Sequence, residues 1–149
     1  MRQKLLFKQI HRLSKQEFAK FREFVSSAFF NKRSDIIRFV NYLEPLFPDF
    51  ADEDVSDESI YKSVYRSAAI NKQVVKNLLN RTLSLLEKFL IQLELERDEF
   101  MQVSALAKEL KKKNLNPRAD KILTESIDHF NLASEYSLDA YRKKSDLLE

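Results

Sequence analysis

Few side chains of this sequence stand where chemistry would need them. Glu125 and His129 lie one helical turn apart with Asp128 beside them, a spacing that can hold a metal ion on one helix face. A metal site needs several convergent ligands, and the second histidine, His11, belongs to a distant segment. The trio therefore reads as part of an exposed helix face, and no metal or cofactor is expected. The carboxylates Glu94, Glu96, Asp98 and Glu99 could supply acid–base groups or a di-metal centre. Such centres repeat Glu-x-x-His on two helices, which is missing, so this cluster reads as a solvated face. With no catalytic residue to assign, the chain reads as a non-enzyme.

Nucleic-acid binding is the sharper alternative. Ser67 to Asn71 reads as a turn between two helices, the arrangement of a helix-turn-helix. The second helix would present Lys72, Gln73, Lys76, Asn77, Asn80 and Arg81, with no acid before Glu87. Gln and Asn can read adenine, and Arg and Lys can read guanine or hold phosphate. Against this stand a helix longer than a recognition helix requires, a turn without glycine and a net charge of only +3. Residues 18 to 50 also hold eight of the 12 Phe, which raises base stacking on an exposed platform. Phe18, Phe21 and Phe24 share a helical stripe with Val25, however, and that spacing belongs to a core.

The elements that must carry these residues follow from composition and periodicity. At 149 residues the chain has the length of one domain and can bury roughly two thirds of its unfolded surface. Its 44% hydrophobic content, with 12 Phe and 5 Tyr, is that of a folding sequence. The absence of cysteine excludes disulfides and thiolate metal sites. Glycine is also absent, where average usage would place about ten. Phosphate-cradling loops, dinucleotide-binding turns and nucleophile elbows all need it, so those enzyme classes are excluded. Tight hairpins favour glycine too, whereas helices can close on Asn, so an all-α fold is expected. Lys8 and His11-Arg12 interrupt any leader-like apolar run, and nothing approaches a membrane span. A cytoplasmic protein without membrane association is expected. Residues 1–50 carry ten Lys/Arg against five acids and residues 51–70 two against five, an unevenness that reads as a mixed solvated surface.

Ser14-Lys15-Gln16-Glu17 is a capping box, with Leu13 and Phe18 as its hydrophobic staple. Phe18, Phe21, Phe24, Val25 and Ala28 then predict one apolar face, closed by Asn31 in the left-handed conformation. Asn31 or Ser34 caps the next helix, whose face is Ile36, Phe39, Val40 and Leu43 until Pro45 pushes Glu44 out of helical geometry. Pro45 to Val55 reads as a loop, and Ser56 starts a short helix using Ile60, Val64 and Tyr65. From Asn71 the stripe Val75, Leu78, Leu79, Thr82, Leu85, Leu86, Phe89, Leu90 and Leu93 is the strongest periodic signal in the chain. It continues through Phe100, Val103, Ala107 and Leu110, with a bend near Glu96 to Asp98 or a projecting arm expected. Lys111-Lys112-Lys113 suits a helix C-terminus closed by Asn114. Asn116 then caps a last helix with Pro117 at its first position, carrying a weaker seam of Ile122, Leu123, Ile127, Phe130 and Tyr141.

The runs Leu13-Ser14-Lys15-Gln16-Glu17-Phe18 and Ala28-Phe29-Phe30-Asn31-Lys32, and the block from Asn77-Leu78-Leu79 to Phe89-Leu90, resemble the N-terminal region of a group of long helical proteins of the Bacteroidota with no known function. Those proteins often have Ser-Pro where this chain has Ser27-Ala28. The resemblance rests on core and capping residues and implies a helical module of a larger bacterial protein, with no catalytic residues to carry over.

The expectation is an aromatic-rich helical bundle over 1–70 and a long antiparallel hairpin over 71–147, about five or six helices in a single domain or a fragment of a longer protein. Leu147-Leu148-Glu149 ends mid-pattern, which favours the fragment. Function is expected in protein–protein interaction or scaffolding. Leu93, Phe100, Val103 and Leu110 are the candidate interface, met by a second copy or by a further region of the same protein.

Overall fold

The computed structural model describes the backbone of residues 2–67 and 69–146. Its helices are α1 (Arg2–His11), α2 (Lys15–Ser26), α3 (Ser34–Leu43), α4 (Asp57–Tyr65), α5 (Lys72–Arg97), α6 (Glu99–Lys112) and α7 (Asn116–Asp146), with a 3-10 turn at Glu44–Leu46. No strand occurs among the described residues, and no helix there is long and apolar enough to cross a membrane. The all-α class stands. The seventh helix, one above the expected count, is α1, which buries Leu6 and Ile10 completely. Two apolar positions are too few to announce a helix by periodicity.

The chain divides into two compact units, Met1–Gln92 and Leu93–Glu149. The division falls inside α5 rather than at residue 70, because the first part of that helix belongs to the aromatic bundle. Phe89 meets Phe21 and Phe24 at ring-centroid distances of 5.4 and 5.6 Å. Around these rings Ile36, Phe39, Val40, Leu43, Ile60, Val64, Val75, Leu78, Leu79 and Leu86 are buried. Each such side chain contributes about 1.5–3 kcal/mol on leaving water. Leu83 joins the buried face of α5 and Leu90 stays half-buried, so the face is wider than the stripe read from spacing.

Turns in the first unit are built from side chains. The capping box of α2 is complete: the Glu17 amide donates to Ser14 Oγ at 3.1 Å and the Ser14 amide to Glu17 Oε1 at 2.9 Å. Asn31, however, is not left-handed; positive φ occurs at Phe50, Arg66 and Asn114 among the described residues. Asn31 is buried instead, and its side-chain amide donates to the carbonyls of Val25 at 2.8 Å and Arg33 at 3.0 Å while accepting from the Arg33 amide. The side chain thus supplies bonds that a continuing helix would have made. Ala28 lies beyond the end of α2 and is exposed. Neither Asn31 nor Ser34 caps α3, whose N-cap is Arg33 without a side-chain bond. Glu44 keeps right-handed helical geometry, because the chain tightens into a 3-10 turn that accommodates Pro45 in its first positions. Ser56 caps α4 as expected, and Arg66 closes it in the left-handed conformation at φ 52°. Asn71 caps α5 through Oδ1, which accepts from the amides of Gln73 and Val74.

In the second unit the expected bend is a full break. Asp98 is extended, and its carboxylate accepts from the Met101 amide at 2.9 Å, ending α5 and starting α6. Helices α6 and α7 form an antiparallel hairpin. Its small core is Ala107, Ala119 and Ile122, flanked by Val103, Leu110 and Leu123. Asn114 at φ 61° closes α6, with the Leu115 amide donating to Leu110 and the Asn114 amide to Lys111. The Leu115 carbonyl already accepts from Ala119, so α7 begins one residue early and Pro117 occupies its second position, where its missing amide still costs nothing. Tyr141, Leu147 and Leu148 lie outside the described side chains.

Arg66 is exposed and carries a Cβ in a conformation that glycine adopts freely. Arg66→Gly should raise stability by about 0.5–1 kcal/mol, and Ser14→Ala should lower it by about 1 kcal/mol. Urea midpoints at constant slope measure both, and a lower midpoint for Arg66→Gly contradicts the glycine-free closure described here.

Candidate interaction surfaces

At the start of α3, Asp35 gathers four donors. Arg33 binds it through two nitrogens at 3.1 and 2.9 Å, the Tyr65 hydroxyl donates at 2.9 Å, and the Ile36 amide donates at 2.9 Å. Tyr65 is the last residue of α4, so the carboxylate ties α3 to α4. Burial alone would raise the Asp35 carboxyl, but the bonds from Arg33 and Tyr65 outweigh it and hold the group below its ordinary value. Burial, followed by the bond to Asp35 and its charge, pushes the Tyr65 hydroxyl up to about 12. Arg38 Nε adds a bond to the Val64 carbonyl at 3.0 Å. The cluster is satisfied within itself and is a clamp.

Beside it lies a recess of about 320 Å³, lined on one side by Phe30, Asn31, Lys32, Arg33 and Ile36 and on the other by Asn80, Arg81, Ser84, Leu85 and Lys88 of α5. Four cations contribute to the lining and no carboxylate does. Arg33 is committed to Asp35, whereas Lys32, Arg81 and Lys88 have no ion pair among the described residues.

The six residues read as a DNA-facing surface are divided by the fold. Lys72, Gln73, Lys76 and Arg81 are exposed, while Asn77 and Asn80 are half-buried. The Asn77 side chain accepts from Gln73 Nε2 at 3.0 Å. Helix α4 makes its close helix contact with α3. Arg81 and Asn80 go to the recess, together with Ser84 and Lys88, which sequence reading did not select. Residues 80, 84 and 88 recur every four positions, a signal that was available; the loop cations Lys32 and Arg33 carried none, since only folding brings that loop against α5.

The four residues read as a protein interface are divided too. Leu93 is buried, and Val103 and Leu110 pack on the hairpin's own core. Phe100 alone is open, at 63% exposed. Further exposed apolar side chains are Met101 and Leu106 on α6 and, on α7, Ile127, Phe130, Leu132, Tyr136 and Leu138, which are 54–76% exposed. At about 1.5 Å per residue the 14 residues of α6 reach about 21 Å and the 31 of α7 about 46 Å. The later part of α7 therefore outruns its hairpin partner by about 25 Å.

The remaining groups have structural work. Asp98 is a helix cap, Glu94, Glu96 and Glu99 face solvent, and Glu125, Asp128 and His129 are exposed. His11 Nδ1 donates to the Pro48 carbonyl at 2.8 Å. No group of three or more His, Cys, Asp or Glu able to hold a metal occurs among the described residues. Lys112 and Lys113 pair with Glu109, and Lys111 lies 4.0 Å from Asp120 across the hairpin, so this run closes a helix. No protein-family model, curated protein or solved structure matches this chain.

The clamp has a pH signature. The lowered Asp35 carboxyl contributes stability above the ordinary carboxylate range that is lost as pH falls through its folded value. The raised Tyr65 hydroxyl contributes stability below its unfolded value of 10.0 that is lost as pH rises through about 12. Tyr65→Phe should cost about 1–2 kcal/mol at neutral pH. Its stability difference from the parent chain should shrink toward pH 12, as read from urea unfolding across pH. A difference independent of pH removes the hydroxyl–carboxylate bond as its cause.

Proposed function

We propose that this chain is a non-catalytic, cytoplasmic protein-interaction module of a larger bacterial protein, and that it docks through the later part of α7. The observation that carries this reading is that Ile127, Phe130 and Leu138, each more than half exposed, share one face of a helix that extends past its partner. Exposed apolar side chains at this density mark an interaction surface. Leu123, Ile127, Phe130 and Leu138, with Ser134 between the last two, recur at three- and four-residue steps and form a seam that a second helix can fill.

The occupant favoured by charge is the same helix of a second copy. Glu135 and Arg142 stand seven residues apart, two turns along one flank of the seam. In an antiparallel pair of that register, Glu135 of each copy meets Arg142 of the other and Leu138 lies beside the twofold axis, so the two helices overlap from about residue 131 onward in a self-complementary arrangement. The open Phe100 at the start of α6 adds apolar surface in the same unit. The resemblance to N-terminal regions of long helical proteins agrees with a module that works by contact.

Light scattering on the chain across a range of concentrations should show twice the monomer mass. Phe130→Glu with Leu138→Glu should return it to monomer while the helical circular dichroism signal remains, because both side chains are exposed. Glu135→Arg alone should weaken the dimer and Glu135→Arg with Arg142→Glu should restore it. A parent chain that stays monomeric at every concentration removes this reading.

A further inference from the structure

Independently of the hairpin, we propose that the recess between the Phe30–Arg33 loop and α5 binds the phosphodiester backbone of single-stranded nucleic acid, with Phe29 as the platform for an adjacent base. Three observations converge there. The first is charge: Lys32, Arg81 and Lys88 line one recess without a carboxylate in its wall. Like charges drawn together repel, and an anion seated among them relieves that repulsion. Arg22, by contrast, stands 2.8 Å from Glu44, where a carboxylate already answers its charge.

The second is the neutral lining. Asn80 adds an amide beside Arg81, which gives phosphate oxygens a donor that carries no charge. Arg33 is held in place by Asp35, so one wall of the recess is rigid before any ligand arrives. A site held by such a clamp loses less freedom on binding.

The third is the ring of Phe29, which is 88% exposed although most other Phe of this unit are core residues. It is held edge-on to Phe30 at 5.0 Å, and Phe30 is stacked on Phe24 at 4.3 Å and lines the recess. A rigid exposed ring next to a cationic notch is the combination that single-strand binders use: cations track the backbone and aromatic faces take unstacked bases. A duplex keeps its bases stacked and offers Phe29 no face. A phosphorylated peptide could use the cations but has no need of the ring. The site is distinct from a recognition helix, since it draws on the loop after α2 and on residues two turns along α5.

The test uses the whole chain and a labelled oligothymidylate of about 15 nucleotides, followed by fluorescence anisotropy at low salt. Binding should weaken with salt at a logarithmic slope of about −2 for three contributing cations, roughly a twentyfold loss between 50 and 200 mM salt. Lys32→Glu with Arg81→Glu should abolish it, and Phe29→Ala should weaken it by about tenfold or more. Lys62→Glu, an exposed charge on α4, should leave it unchanged. All four positions are exposed, so circular dichroism should confirm folded variants. The proposal is overturned by absence of binding, or by binding that survives the double charge reversal. It is equally overturned if Phe29→Ala has no effect, or if inorganic phosphate or a phosphoserine peptide displaces the oligonucleotide as well as unlabelled oligothymidylate does. A duplex of the same length binding more tightly also overturns it.

Discussion

A backbone without glycine has to change direction using side chains that either tolerate the left-handed conformation or replace the bonds that it would satisfy. Several described helix ends answer that constraint. Arg66 and Asn114 accept positive φ at the ends of α4 and α6. Asn31 keeps an ordinary backbone and folds its amide inward to take up the Val25 and Arg33 carbonyls. Ser14, Ser56, Asn71 and Asp98 satisfy the opposite ends of helices with oxygen acceptors. The helices differ in length largely because those stopping residues fall where they do.

The same constraint shapes what lies between the turns. With reversals made by polar side chains, large rings are left to fill the interior of the first unit, and Phe21, Phe24 and Phe89 do so at offset and tilted contacts that aromatic rings prefer. Burying Asn31 and Asp35 near that interior is tolerable only because their hydrogen-bonding capacity is met locally. The consequence is a stiff loop between α2 and α3. It presents Phe29 and Lys32 outward while Phe30 and Arg33 are held from behind.

The second unit shows the opposite balance. Its hairpin core is small, two alanines and an isoleucine with partial cover from Val103, Leu110 and Leu123. Alanine at the contact lets two helices approach closely but contributes little apolar area, so the hairpin is sealed near its loop and leaves Phe100 and Phe130 open. A surface of that kind has a reason to seek cover, which the polar recess of the first unit does not share.

Much of this was legible in residue spacing. The capping box, the stripes of α2, α3 and α5, the Asn71 cap, the break near Asp98 and the left-handed Asn114 all depend on neighbours within a turn or two, where local sterics and periodicity decide the outcome. Contacts across the chain were not legible. Spacing put Val103 and Leu110 on an apolar face but could not say that α7 covers them, nor that Leu93 is buried while Ile127 and Phe130 are not. It marked Asn80 and Arg81 as polar without bringing Lys32 and Arg33 to them, because two segments fifty residues apart share no local signal. The sequence by itself determined that the chain is helical and where several of its helices start, at Ser14, Ser56 and Asn71, since those are energies of adjacent residues. Tertiary structure alone decided which apolar faces are used up and which cations stand together, since burial and charge proximity exist only once the helices have packed.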